Sequence, residues 1–504
     1  MVGAALPLFL VVLANVLLLS NGSKLANIVS LQAATSKLQR EGLGSSSAKD
    51  KRGVEVTAVA AAAAKGHGHH SISIAQLVIN VVADLCPHGM LPLAYGISQE
   101  GSTGIVTALG LLSVFGSMSA YSMTAYADMA TETNSNSISD LWAKLFNVKT
   151  AWLADVAVFS LCFGCCIFYS AFVGDIFAYL SSAIGLTGFL GKRWVALATI
   201  SSTFLLPLCL LEDISSLQFS SMLGVCGILV TFATIAFRAF DGSYAPNSAL
   251  AEAIGEKLRP SFPSPKFTLF KTGKGALVLA NMMCVAFLAH YNAINYYKEL
   301  ENRSPRRYKV AIATGFGISL SIFAGMMILG YSIFGTACQP LILNNFHRTK
   351  DALATGARLA IGLAITFAYP LMFAGLKSSM FNLIDRPAAA AATAPTKTAA
   401  RESNKTIKQA AIIAALSSIT AIAFKCGEED VSLVLGIVGS VLGCGVAYVL
   451  PGALRLSHMR SKKKAGLKNG SVDIIVSHLL VALGLIFGAL GVWITIETES
   501  KHHH

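Results

Sequence analysis

The sequence predicts an all-α protein that crosses a membrane many times, and three observations predict it. Apolar residues make up 54% of the 504 and charged residues only 13%. Mean hydropathy is +0.62. The apolar residues also gather into long runs. A soluble chain of this length needs far more charge to coat its surface, so lipid is the solvent for much of this one. A formal net charge of +13 would suggest nucleic acid on a soluble protein. Here it poses a different question, which face of the membrane holds the Lys and Arg, and no nucleic-acid partner is expected.

Backbone polar groups cannot go unpaired in hydrocarbon, so each long apolar run must be a helix of roughly 20 residues. About eleven such runs follow residue 70: 73–95, 104–127, 152–184, 194–211, 217–240, 276–297, 310–334, 354–376, 410–424, 431–450 and 474–496. The ninth is short and alanine-rich. The most basic connections, 298–309, 386–408 and 455–468, follow the sixth, eighth and tenth runs and so share one face. That face is expected to be cytoplasmic, with the N-terminus inside and the C-terminus outside. Within the bundle's loops three glycosylation sequons begin at Asn302, Asn404 and Asn469. This orientation puts all three inside, so a glycan on any of them would overturn it.

Residues 1–20 form a further apolar stretch, a signal, an anchor or a wrongly chosen start; no basic residues precede its core as in a secretory signal. Residues 21–71 read as a disordered cytoplasmic tail that ends near His67, His69 and His70, a cluster read as solvated rather than metal-binding. Residues 72–497 form the transmembrane domain and 498–504 a short tail. The stretch 388–400 reads as a low-complexity linker. Of ten cysteines, only Cys338 and Cys426 fall in loops, both on the outer face, where a disulfide between them is conceivable. No metal ligand set is expected.

The first run carries the most chemistry. In Ala83-Asp84-Leu85-Cys86-Pro87-His88-Gly89-Met90-Leu91-Pro92 two prolines each remove an amide donor and Gly89 weakens the helix between them. Such a break is tolerable in a membrane only where buried protein or a wet cavity pairs the freed groups, and broken helices are how many secondary transporters build a site. Asp84 and His88 flank it, and ionisable residues at this depth are costly unless used. The sixth run has a matching irregularity, Phe287-Leu288-Ala289-His290-Tyr291-Asn292. An interrupted pair at runs one and six is what an inverted repeat of five helices predicts. The plainer reading makes His290 and Asn292 interhelical hydrogen-bond partners.

Seven motifs in order along the chain then resemble the amino acid/auxin permease family, which includes vacuolar and sodium-coupled neutral amino acid transporters. They are Gly89-Met90-Leu91-Pro92-Leu93-Ala94-Tyr95 with Gly101; Gly174-Asp175; Leu206-Pro207-Leu208 through Ser220-Ser221; Phe287 to Asn292 with Glu299-Leu300; Gly330-Tyr331-Ser332-Ile333-Phe334-Gly335; Tyr369-Pro370-Leu371; and Gly436-Ile437-Val438-Gly439 with Pro451-Gly452. The resemblance covers about residues 72–496 and implies a LeuT-like fold, two inverted five-helix repeats plus one helix, that moves amino acids on a proton or sodium gradient.

By that resemblance the first-helix break, Cys86, Pro87, His88, Gly89 and Met90, offers amides to the substrate carboxylate. Phe287 to His290, Ala289 included, offers carbonyls to the amino group, and Tyr169 lines the same pocket. Pro87-His88-Gly89 stands where many members carry three small residues, which makes this pocket bulkier or differently charged. Thr366 fits the eighth-helix position that helps hold sodium in sodium-coupled members, but Ala83 stands where they have an asparagine. Asp84 next to it either replaces the lost oxygen or exchanges a proton itself, and His88 is a second candidate for that work. Protons are therefore preferred to sodium as the coupling ion. Asp175 is a weaker candidate, and Arg358 is expected to snorkel or to pair with an acidic loop residue. No cofactor is implied. The chain has no G-x-S-x-G, H-E-x-x-H or P-loop and no nucleotide-binding domain, so neither an enzyme nor an ATP-driven pump is expected. A membrane receptor of the same fold that senses amino acids with little flux is the alternative. Plasma membrane and vacuole are both usual homes for the family.

Overall fold

A computed structural model describes residues 71–98, 103–183, 185, 188–189, 191–211, 214–245, 247–260, 268–391, 399–425, 438–466 and 470–502. The expectations for residues 1–20, 21–70 and Cys426 fall outside these. Among the described residues nine helices are long and apolar enough to cross a membrane: Ile105–Thr133, Val148–Ser181, Gln218–Phe240, Lys274–Glu299, Pro305–Ala337, Ala352–Arg386, Lys405–Lys425, Gly439–Lys464 and Ser471–Thr495. Two shorter apolar helices, Ile74–Gly89 and Arg193–Cys209, complete the eleven spans and stand first and fourth in the chain.

The first helix is capped by Ser73, whose hydroxyl accepts from the Gln76 amide at 3.1 Å. It runs to Gly89, and a second half-helix, Leu93–Ser98, continues after a gap. The sixth span is likewise two pieces, Lys274–Ala286 and Ala293–Glu299, joined by three non-helical residues and one tight turn, His290–Asn292. The fourth and tenth spans stay continuous but widen into π turns at Ser201–Leu205 and Gly445–Val449. Each wide turn comes just before a proline, Pro207 and Pro451, whose missing amide would otherwise break the ladder. The eighth and ninth helices outrun their apolar cores. The eighth, Ala352–Ala391, has 40 residues, about 60 Å at 1.5 Å per residue and twice the hydrocarbon thickness. The ninth begins at Ala399, inside the expected linker.

Packing shows the repeat. The first span lies against the fifth and seventh, and the sixth against the tenth and second, which is the same arrangement five helices later. The third and eighth spans, equivalent in the two repeats, pack on each other. The eighth is the innermost, with 83% of its central window buried, while the eleventh, at 22%, is peripheral. Glycines set the closest approach. A Cβ on Gly227 of the fifth span would lie 2.3 Å from the Ala360 carbonyl oxygen and 3.1 Å from Ala364 Cβ. Gly227→Leu is therefore expected to cost about 3 kcal/mol, the upper end for overpacking. A thermal-unfolding midpoint in detergent checks it, and an unchanged midpoint would show that these helices do not meet there.

The face that carries the basic loops is tied by backbone bonds. The Ile72 amide donates to the Glu299 carbonyl at 2.8 Å and the Glu301 amide to Ile72 at 2.9 Å, which joins the entry to the first helix to the end of the sixth. The Glu299 carboxylate accepts from the Ile214 amide at 3.1 Å, adding the start of the fifth span. Asp175 forms an ion pair with Arg193, and Arg193 also reaches the Ala423 carbonyl at 2.9 Å. The third, fourth and ninth spans meet there, so Asp175 holds helices together rather than facing the centre.

Candidate functional site

The two breaks face each other in the middle of the bundle. In the first helix the unwound residues are Met90, Leu91 and Pro92, one turn later than the expected Cys86–Met90. Pro87 removes only its own donor, so the helix carries on to Gly89 and the Met90 amide still reaches the Cys86 carbonyl at 3.1 Å. Pro92 is the stronger breaker, since its ring drives Leu91 out of the α region and suits the start of the next half-helix. The missing amide of Pro87 also frees one acceptor, the Ala83 carbonyl, four residues back. In the sixth span the unwound residues are Phe287, Leu288 and Ala289, as expected.

Asp84 sits at the centre, 1% exposed. Tyr291 donates to one carboxylate oxygen at 2.6 Å, and Tyr296 and Asn292 donate to the other at 2.8 and 3.3 Å. All three donors come from the sixth span just past its break. The Asn292 amide also bonds the Leu371 carbonyl of the eighth at 2.8 Å, so three spans converge on one acid. No Lys, Arg or His lies within ion-pair distance of Asp84 among the described residues. Gly375 makes room for this cluster: a Cβ there would lie 2.7 Å from the Tyr291 ring.

His88 occupies the other side of the break. Its Nδ1 lies 2.7 Å from the Tyr169 hydroxyl of the third span and its Nε2 3.2 Å from the Val285 carbonyl. A carbonyl can only accept, so Nε2 carries the proton, and in the neutral ring Nδ1 accepts from Tyr169. Tyr169→Phe leaves that buried nitrogen unpaired and is expected to cost about 1–3 kcal/mol of stability. Chemical denaturation of wild type and variant measures the difference, and none at all would mean that the ring turns to another partner.

Other expected residues point elsewhere. The Cys86 thiol donates to Ser319 of the seventh span at 3.5 Å. Gly89 is pressed against that same span, since a Cβ would lie 2.4 Å from Phe323 Cζ and 2.9 Å from the Ala286 carbonyl. The Phe287 ring stacks on Phe316 and meets Phe323 edge-on. His290 Nε2 reaches the Ser119 carbonyl at 3.0 Å and the Ser122 hydroxyl at 2.7 Å, both on the second span. The side chains of Phe287 and His290 therefore fill helix interfaces; the Ala289 carbonyl accepts from the Asn292 amide at 3.1 Å and that of His290 from the Ala293 amide, which leaves the carbonyls of Phe287 and Leu288 at the break. Thr366 is buried, and its hydroxyl donates to Gly362 one turn back in its own helix at 2.7 Å.

A small cleft opens towards Tyr291 from the face that carries the basic loops. Ser137, Asp155, Tyr291, Asn295 and Asn382 are among its lining. Tyr291 thus touches the cleft and donates to Asp84. The sequence had marked Tyr291 and Asn292 only as polar residues in an interrupted apolar helix. Their convergence on Asp84 depends on the chain turning at residues 287–292.

Comparison with known proteins bears on the family and the fold. Residues 70–497 match the family model described as "Transmembrane amino acid transporter protein". The Arabidopsis thaliana "Amino acid transporter AVT6E" is 26% identical over 236 residues, 44% of this chain and 45% of that protein. The mouse "Sodium-coupled neutral amino acid transporter 7" is 23% identical over 411 residues, 79% of this chain and 82% of that one. Among solved structures, that of MhsT in complex with L-phenylalanine superposes with a TM-score of 0.52 at 14% identity, covering 83% of this chain and 98% of its own. At that identity it bears on the fold alone, which is the LeuT-like arrangement of inverted five-helix repeats. By the span of the family match and the order of its helices, the chain is a multi-pass membrane protein that belongs to the transmembrane amino acid transporter family.

Proposed function

We propose that the protein is a proton-coupled secondary transporter of amino acids, with substrate at the facing breaks of the first and sixth spans. The observation that carries this is Asp84, a fully buried acid without a cation partner, held by three donors from the opposite broken helix. At the first break the Leu91 amide, the first past the helical bond of Met90 to Cys86, meets a carboxylate, and the His88–Tyr169 pair closes that side. At the sixth, the carbonyls of Phe287 and Leu288 meet an ammonium group.

Coupling follows from the donors of Asp84. When Asp84 carries no proton, Tyr291, Tyr296 and Asn292 hold its negative charge and tie the first helix to the sixth. A proton turns one carboxylate oxygen into a donor and weakens that tie, which lets the two half-helices part. Tyr291 lines the cleft, so the proton has a short route to the basic face. Uptake of a labelled amino-acid panel into proteoliposomes, under an imposed pH or sodium gradient, tests the reading. A pH gradient alone is expected to drive accumulation. Binding of an amino acid without accumulation under either gradient would instead favour a receptor of the same fold.

Sodium is the second reading, and one observation favours it. The carbonyl of Ala83 lacks its helical donor where the first, fifth and eighth spans meet over small residues: a Cβ on Gly224 would lie 3.5 Å from the Ala364 carbonyl and 3.9 Å from Ala83 Cβ. Thr366 lies half a turn further along the eighth and keeps its lone pairs. A relative named as sodium-coupled adds to that reading. Protons are preferred because Asp84 needs no further oxygen ligand to exchange one.

A further inference from the structure

Arg358, in the second turn of the eighth span, does not behave as its sequence position suggests. It neither snorkels nor pairs with an acid. It is 5% exposed, and its Nη2 donates to the carbonyls of Leu343 and Phe346 at 2.7 and 2.8 Å. Its guanidinium carbon lies 5.2 Å from the centre of the Tyr179 ring. Nη1 and the Tyr179 hydroxyl are both buried, and neither has a hydrogen-bond partner.

The nearby acids are taken. Asp351 receives two bonds from Arg238, at 3.1 and 2.6 Å, one from Tyr244 at 3.0 Å and one from the Ala354 amide at 3.0 Å. Asp241 also pairs with Arg238. Arg348 adds a further positive charge in range of Arg358. Three arginines, Arg238, Arg348 and Arg358, therefore face two aspartates, and the uncompensated charge is the buried one. A buried cation is stable only when paired and fully hydrogen-bonded. A guanidinium can only donate and a phenol hydroxyl can donate as well as accept, so an anion can take a bond from each.

We propose that Arg358 and Tyr179 form a site for a small monovalent anion at the end of the bundle opposite the basic loops. Its position is informative. Tyr179 follows Tyr169 by ten residues on the third span and Arg358 precedes Thr366 by eight on the eighth, so the site lies about 12–15 Å along the same two helices from the central breaks. Two sources share the chemistry: a free halide, or a carboxylate on its way to the centre. Only the second rests on the transport reading.

Thermal unfolding of the purified full chain in detergent separates them without any transport assay. At constant ionic strength, a bulky organic sulfonate is replaced stepwise by chloride or by acetate. A ligand that binds only the folded state stabilises it by RT ln(1 + L/Kd), with L its free concentration, and so raises the midpoint as L passes Kd. The midpoint is expected to rise with chloride if the site takes halide, or with acetate alone if it takes carboxylates. Either rise is expected to vanish in Arg358→Gln and to need several-fold more anion in Tyr179→Phe. Equal responses in wild type and Arg358→Gln, or none to either anion, would overturn the proposal. Should Arg358→Gln not fold, wild-type crystals in bromide give a second readout. Anomalous scattering at Arg358 supports the site, whereas its absence together with an unshifted Tyr179→Phe titration sinks it.

Discussion

Asp84→Asn is expected to abolish accumulation of amino acids against a gradient while leaving exchange of substrate across the membrane intact. The amide has nearly the shape of the carboxyl, and the two tyrosine hydroxyls and Asn292 can re-orient around it, so the fold should survive. What disappears is the exchangeable proton. Concentrative uptake under a pH gradient falls to background, while counterflow of labelled against unlabelled substrate continues. The two assays run on one preparation of proteoliposomes. Persistence of pH-driven accumulation in the variant would remove Asp84 from the coupling step, and loss of both activities would point to a structural role.

The second large effect is steric and sits five residues away. Gly89 ends the first half-helix against the Ala286 carbonyl and the tip of Phe323. The backbone oxygen cannot move aside as a flexible side chain can. Gly89→Val must therefore push the first-helix end away from the sixth-helix break by most of an ångström. Displacements of about 1 Å at a functional site cost on the order of 100-fold in rate. Uptake and exchange are both expected to fall by about that factor, because here the binding geometry is lost and not just the proton. Near-normal exchange in Gly89→Val would mean that substrate does not bind between the breaks. The contrast with Asp84→Asn, which spares exchange, separates coupling from binding.

Much of this was legible in the sequence because membrane physics leaves few options. Long apolar runs must be helices, and prolines within them must be accommodated, so the eleven spans and the interrupted first and sixth followed directly. The exact unwound residues did not. Pro87 and Pro92 look equivalent in the sequence, but only Pro92 is placed to start a new helix, so the break fell a turn late. The extents of the eighth and ninth helices were underread for a related reason: helices continue into water as well as lipid, and alanine-rich sequence favours helix as readily as a flexible linker.

Side-chain partners were the least legible. Asp84 stood out because a lone acid in an apolar run is rare, yet nothing in its neighbourhood named Tyr291, Tyr296 and Asn292 as its donors, some 200 residues on. His290 was flagged for the same polarity, but its ring turns to Ser119 and Ser122 on the second span. One residue of rotation on a helix decides which neighbour a side chain meets, and the tight turn at 290–292 sets that rotation. Arg358 failed differently. Snorkelling requires a route to water, and the carbonyls of Leu343 and Phe346, folded back over it, close that route.

The most direct measurement is the proton movement that accompanies substrate. In weakly buffered proteoliposomes without sodium, with a pH-sensitive dye in the lumen, adding amino acid outside should acidify the lumen as substrate enters. Proton coupling at Asp84 predicts that signal for the wild type, in proportion to substrate uptake, and its absence in Asp84→Asn. Accumulation of amino acid that requires sodium and moves no protons would contradict it, and would shift the coupling site to the Ala83 carbonyl and Thr366.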